Sequence, residues 1–204
     1  MNMDDLPDEL RNEIKKLIDS EVRRQTAGLN NALEELKLQI KKSGQAESQE
    51  DRATLVAFSG ELDTLFAACT IACGAAAMGM EVSMYFTFWG LNAIRTGRSF
   101  QDKSLGEKMV ACMMPNGPAS VPTSRMNMAG MGPLFFKHLM KKRNVEDLPS
   151  LIEVLQDLGV RMIACETSMT VMGVKREELI EGVDFGGVAT YLEDAAKSKI
   201  TLFI

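Results

Sequence analysis

"VRMIACETSMTVMG", residues 160–173, opens as a buried strand and changes character at one cysteine. Val160, Met162, Ile163 and Ala164 are apolar, and Cys165 is followed at once by Glu166, Thr167 and Ser168. A short apolar run leading straight into helix-capping residues is a strand that hands over to a helix. Gly159 just before it stops a helix predicted over "SLIEVLQDLG". In an α/β sheet the carboxyl end of a strand is where ligand and catalytic groups gather. The position therefore offers Cys165 two readings, a nucleophile or a half-buried packing residue, since free cysteine is among the most buried residue types.

Working backward, "ATLVAF" (53–58) reads as a buried strand, "SGELD" (59–63) as a turn with first-turn acids, and "TLFAACTIACGAAAMG" as a helix ending near Gly79. "EVSMYFTFWG" (81–90) reads as a second strand closed by glycine. Strand, helix and strand in so short a span make a parallel βαβ unit with a right-handed crossover. A helix around "SLGEKMVACMM" precedes "PNGPASVPTSRMNMAGMGP" (115–133), which has no period and reads as a long loop of the kind that is often functional. Beyond it come a helix in "LFFKHLMKKR", the strand "VRMIA", the segment "REELIEG", a helix in "VATYLEDAAKS" and a last strand, "KITLFI" (199–204). The alternation predicts a three-layer α/β/α sandwich around a mostly parallel sheet of about five strands.

The first fifty residues differ. Leu10, Ile14, Leu17, then Leu29, Leu33, Leu36 and Ile40 form an interrupted apolar stripe in a Glu-, Lys- and Arg-rich background. Residues 1–42 are expected to be a helical, coiled-coil-like arm suited to homo-oligomerisation, 43–51 a polar linker, and 52–204 the globular domain.

Composition narrows the function. A net charge of −5 and a pI near 5.1 argue against a nucleic-acid surface. No apolar run reaches the length of a membrane span, and the N-terminus lacks the apolar core of a signal peptide, so a cytoplasmic location is expected. There the four cysteines, Cys69, Cys73, Cys112 and Cys165, stay reduced. Their spacing does not match zinc knuckles, and the one histidine, His138, sits on a predicted surface helix, so no metal is expected. Met126, Met128 and Met131 raise Cu(I) only weakly, because methionine more often serves as soft packing. Neither a dinucleotide fingerprint nor a P-loop is present, and no cofactor is expected. Cys69 and Cys73, one turn apart on a small-residue helix, read as packing; Cys112 reads as core filling or as a second thiol. Ser59–Asp63, Thr87–Asn92 and Cys165–Met172 all fall at strand ends and are expected to share one crevice. Thr167 or Ser168 would cap the helix behind the sulfur, and the carboxylate of Glu166 would oppose a thiolate.

"RMNMAGMG", "ACETSMTVMG" and "FGGVATYL" together resemble the DsrE/DsrF-like family, in its DsrE-type branch with a long Met-rich loop, over about residues 52–204. The resemblance implies a sulfur-relay protein in which the cysteine ending a central strand, here Cys165, carries a persulfide or related adduct. It implies thiol or persulfide proteins as partners, rhodanese-like and TusA-like carriers among them. Around Cys165 the expected pocket residues are Ser59, Gly60, Thr87, Trp89, Asn127, Met128, Thr167, Ser168 and Met169, with the Met-rich loop as a shield. Two other readings remain open: an oligomeric scaffold or small-ligand-binding regulator with an inert cysteine, and a peroxiredoxin-like thiol reductase with Cys112 resolving.

Overall fold

The computed structural model describes residues 50–204, apart from 102 and 126 and the side chains of 50 and 129. Before them it describes only positions 13, 16, 20, 23, 24, 26, 28, 33–35 and 37, all helical and exposed. The chain divides into two compact units, residues 1–48 and 49–204. Most of the expected arm and the linker residues 43–49 lie outside the described residues.

Among the described residues of the second unit five strands, β1 (Glu50–Ala57), β2 (Glu81–Phe86), β3 (Arg161–Cys165), β4 (Asp184–Gly186) and β5 (Ser198–Phe203), form one sheet in the order β4-β3-β2-β1-β5. Every pairing is parallel. Among the described residues six α-helices accompany them: α1 (Leu62–Ala77), α2 (Leu105–Met113), α3 (Met131–Lys142), α4 (Leu148–Asp157), α5 (Glu166–Met172) and α6 (Val188–Lys197). The expected α/β class therefore holds.

The strand order explains which face each helix covers. From β1 to β2 to β3 the chain steps one way across the sheet, so right-handed crossovers put α1 and α4 on the same face. Here Leu55, Met84, Met162 and Ala164 meet Leu65, Cys69, Ala72, Ile152 and Leu155 in the main core. The small side chains of α1 let it lie close to the sheet. Between β4 and β5 the chain steps back past three strands, which sends α6 to the other face. A second, smaller cluster lies there: Val56, Tyr85, Ile163 and Cys165, with Tyr191 of α6 packed against them.

Polar ties fix the sheet's amino end. Buried Thr54 Oγ1 meets Ser83 Oγ at 2.9 Å and Ser198 Oγ at 2.8 Å, linking β1 to both neighbours. The Asp194 carboxylate on α6 accepts from Arg52 at 2.9 Å and from Arg161 at 3.1 Å. These contacts correct the expected domain start. Strand β1 begins at Glu50, inside the polar stretch read as linker, because backbone pairing to Ser198 and the Arg52 anchors need no apolar side chain.

Other boundaries move for equally local reasons. Strand β1 ends at Ala57, one residue before the expected end. Strand β2 ends at Phe86 rather than running to Gly90. Phe88 takes φ 46°, an uncommon left-handed conformation for a bulky residue, and starts a 3-10 helix over Phe88–Ile94. That helix can pass under the end of β1 only because residue 90 is glycine: a Cβ there would lie 1.9 Å from the carbonyl oxygen of Ala57. The segment read as a structureless loop holds 3-10 turns at Pro118–Ser120 and Met128–Gly130, and α3 begins within it at Met131. Strand β4, three residues long and ending in glycine, lacks an apolar run and was not expected as a strand.

Helix starts follow ordinary capping chemistry. Ser104 and Glu107 form a reciprocal capping box at α2, and Asp147 accepts from the Ser150 N–H at α4. Arg95, Lys103 and Glu178 form a buried ion cluster. Arg95 donates to Glu178 at 2.5 Å, Lys103 donates to the other oxygen of the same carboxylate, and Arg95 also reaches Met114 Sδ at 3.7 Å.

Candidate functional site

Cys165 ends β3, and its side chain faces the smaller cluster under α6. Register explains its company. Ala164 pairs with Phe86 and Ile163 with Tyr85, so alternation turns Tyr85 and Thr87 toward the same face as Cys165. Helix α5 starts on the next residue, and the N-cap is Cys165 itself: its Sγ accepts the backbone N–H of Ser168 at 3.5 Å. Thr167 and Ser168, expected to cap this helix, do not. A strand running directly into a helix leaves only its last residue in extended backbone, the geometry an N-cap requires.

Hydroxyl groups complete the sulfur's surroundings. Thr87 Oγ1 and Ser168 Oγ lie 2.8 Å apart, and both hydroxyls also interact with the thiol, as does that of Tyr85. Tyr85 Oη reaches the carbonyl of Gly186 at 3.5 Å, and its ring lies 5.7 Å from that of Tyr191. Burial alone would push the Cys165 thiol up. The Ser168 hydroxyl, the Tyr85 hydroxyl, the Ser168 N–H and the Thr87 hydroxyl more than offset it, holding the thiol below its ordinary value. Tyr85 moves the opposite way, upward, through burial and the neighbouring thiolate charge. Cys165 is 6% exposed, so attack on an outside sulfur requires a small or protruding donor.

Glu166 does not face the thiol undiluted. Its carboxylate accepts from Arg176 at 2.7 Å in an exposed pair, and the Arg176 guanidinium sits 4.2 Å above the Phe185 ring. The arginine partly cancels the charge that would have opposed the thiolate, though salt and water screen such a pair.

The other cysteines differ sharply. Cys69 is fully buried in the main core, and burial together with the neighbouring Cys73 pushes its thiol up to about 12. Burial raises Cys73 as well. Cys112 is exposed on α2, where its carbonyl accepts from Arg98 at 3.2 Å. Among the described residues no group of three or more His, Cys, Asp and Glu side chains is arranged to hold a metal ion.

The expected pocket residues do not converge on one crevice. Thr87 and Ser168 touch the thiol network. Buried Met169 and Glu166 line a shallow polar recess beside Arg176, while Thr167 is exposed. Gly60 and Trp89 line a separate cavity of about 380 Å³, and half-buried Ser59 sits at its edge, accepting from the Glu61 N–H at 3.5 Å. Met128 lines a third space of about 670 Å³ with Met131, Phe135 and Phe136; Asn127 is exposed nearby. Cys165 lines neither cavity: Trp89, in the 3-10 helix after β2, lines the first, while Thr87, just before that helix, bonds to Ser168 at the thiol. Tyr85 is the participant that sequence reasoning missed. Its alternation with Thr87 in "MYFTF" was a usable signal, but only a known register says which strand it faces.

A strand-end cysteine capping its own helix sits within a sequence whose residues 49–203 match the DsrE/DsrF/DrsH-like family. The chain belongs to that family. This DsrE-like chain is 46% identical over 157 residues to the uncharacterized protein YrkE of Bacillus subtilis, covering 76% of this chain and 98% of the relative. It is 30% identical over 160 residues to the sulfur carrier protein DsrE2 of Allochromatium vinosum, covering 76% and 99%. Among solved structures, the ychN protein from E. coli is similar at 13% identity and a TM-score of 0.46, covering 75% and 98%.

Proposed function

We propose that this protein is a sulfur carrier that holds sulfane sulfur on Cys165 and passes it between thiol proteins. The observation that carries the reading is the hydrogen-bonded sulfur at the β3–α5 junction. A buried thiol with no such donors would be inert, and this one is held toward its thiolate. Family membership and the likeness to a protein named as a sulfur carrier point the same way.

The exchange balances without an oxidant. The Cys165 thiolate attacks the terminal sulfur of a donor persulfide, R–S–SH; the new S–S bond forms as the donor's S–S bond breaks, giving Cys165–S–SH and R–S⁻. An acceptor thiolate then attacks the same terminal sulfur and releases Cys165 as a thiolate. The Ser168 N–H, the Tyr85 hydroxyl and whichever of the paired Ser168 and Thr87 hydroxyls does not donate to the other stabilise the anion both before attack and as the leaving group. No cofactor is required. We further infer that the partners are rhodanese-like or TusA-like persulfide carriers, that the protein works in the reducing cytosol, and that the N-terminal segment serves self-association.

Intact-mass measurement after incubation with a small-molecule persulfide tests the reading. Wild type gains one sulfur atom, and Cys165→Ser does not. No gain in wild type, or an equal gain in the variant, overturns it.

A further inference from the structure

The cavity lined by Gly60 and Trp89 has a chemistry of its own. It encloses about 380 Å³ between the amino end of α1, the 3-10 helix and the carboxyl end of α2, within the range of small-molecule sites. Gly60, Trp89, Val110, Met113 and Pro122 give it a largely apolar wall. Among the described lining residues Glu61 is the one charged group, so an anion would find no cation there.

One polar group stands out. Asn92 lines this cavity, is 1% exposed, and its side-chain oxygen has no hydrogen-bond partner in the protein. Folded proteins rarely leave such an atom unmatched, and an unmatched buried acceptor beside a cavity indicates a donor supplied from within that cavity. The wall also forms without slack, since a Cβ on Gly60 would come within 2.8 Å of Trp89 Cβ.

We propose that this cavity is a binding site, separate from sulfur carriage, for a small uncharged molecule with an apolar body and one hydrogen-bond donor directed at the Asn92 side-chain oxygen. The body lies against Trp89 and the methionine and proline side chains, and the donor is an O–H or N–H group. Cys165 takes no part, so the proposal stands whether or not that thiol carries sulfur.

Phenol and its O-methyl ether, anisole, form a matched pair of probes: similar rings, one with a donor and one without. Trp89 is the chain's one tryptophan, so a ¹⁵N-labelled sample gives a single indole N–H signal in the cavity wall. Phenol is expected to shift that signal saturably, and anisole to need about tenfold more for the same shift, one unsatisfied buried hydrogen bond's worth. In Asn92→Ala the preference is expected to collapse toward unity while anisole still binds. Equal affinities in wild type would mean that water already satisfies Asn92, and would overturn the proposal; so would no movement of the indole signal with either probe. The wild-type comparison decides the matter even if the variant does not fold.

Discussion

Ser168 holds Cys165 twice, through a backbone N–H 3.5 Å from the sulfur and through a hydroxyl that also meets Thr87 Oγ1 at 2.8 Å. The thiol is thus both helix cap and candidate nucleophile. Whatever disturbs one role disturbs the other.

Removing a single hydroxyl is the mildest test. Tyr85→Phe keeps the ring against Tyr191 and deletes one donor to the sulfur. Its alkylation midpoint by iodoacetamide is expected to rise, and the rate at pH 7 to fall about fivefold, the worth of one hydrogen bond of ~1 kcal/mol. Peptide mapping by mass spectrometry assigns the modification to Cys165. An unchanged midpoint would remove Tyr85 from the site.

The same depressed thiol should appear in stability. A group whose folded pKa lies below its unfolded value adds stability that is full above the unfolded pKa and is lost as pH falls through the folded one. For Cys165 the unfolded reference is about 8.5. Wild type should therefore gain stability relative to Cys165→Ser as pH rises toward about 8.5, and the gain should level off above it. Urea unfolding of both proteins at several pH values measures the difference. A gap that narrows with rising pH would mean that the fold disfavours the thiolate.

Glu178 faces two cations in a dry setting, with side-chain exposures of 0% for Arg95 and 2% for Lys103. Glu178→Gln removes the ion-pair partner of both cations and is expected to cost about 3–5 kcal/mol in denaturant unfolding. A loss below 1 kcal/mol would show that water reaches the cluster.

Gly90 offers a steric test. A methyl group there would collide with the Ala57 carbonyl, so Gly90→Ala is expected to destabilise by about 2 kcal/mol or more. Thr87 lies three residues earlier, and its link to Ser168 should loosen. Cys165 alkylation would then change along with stability, whereas a stability loss with unchanged alkylation would uncouple the 3-10 helix from the thiol.

Much of this architecture was legible in residues. The run from Val160 to Ala164, the small-residue helix and the "KITLFI" strand carry patterns that only one fold class satisfies. What was hidden depends on long-range pairing. "EVSMYFTFWG" looks like one strand until Phe88 turns left-handed, and Asp184–Gly186 becomes a strand only because β3 offers it a partner. The site was half legible for the same reason. Position singled out Cys165 and put Thr87 and Ser168 beside it, but Tyr85 joins them through a register that no local pattern encodes, and the cap turned out to be the sulfur rather than the hydroxyls behind it.

Strand order also sets a timetable. Thr54 bridges Ser83, which lies 29 positions away, and Ser198, which lies 144 away. On a growing chain the first of these contacts can close early. The second must wait until nearly the whole domain has been synthesised, leaving one edge of β1 open in the meantime. A ribosome-bound intermediate of this protein would therefore present an unpaired, apolar strand edge, making chaperone engagement during synthesis a built-in consequence of where β5 is placed.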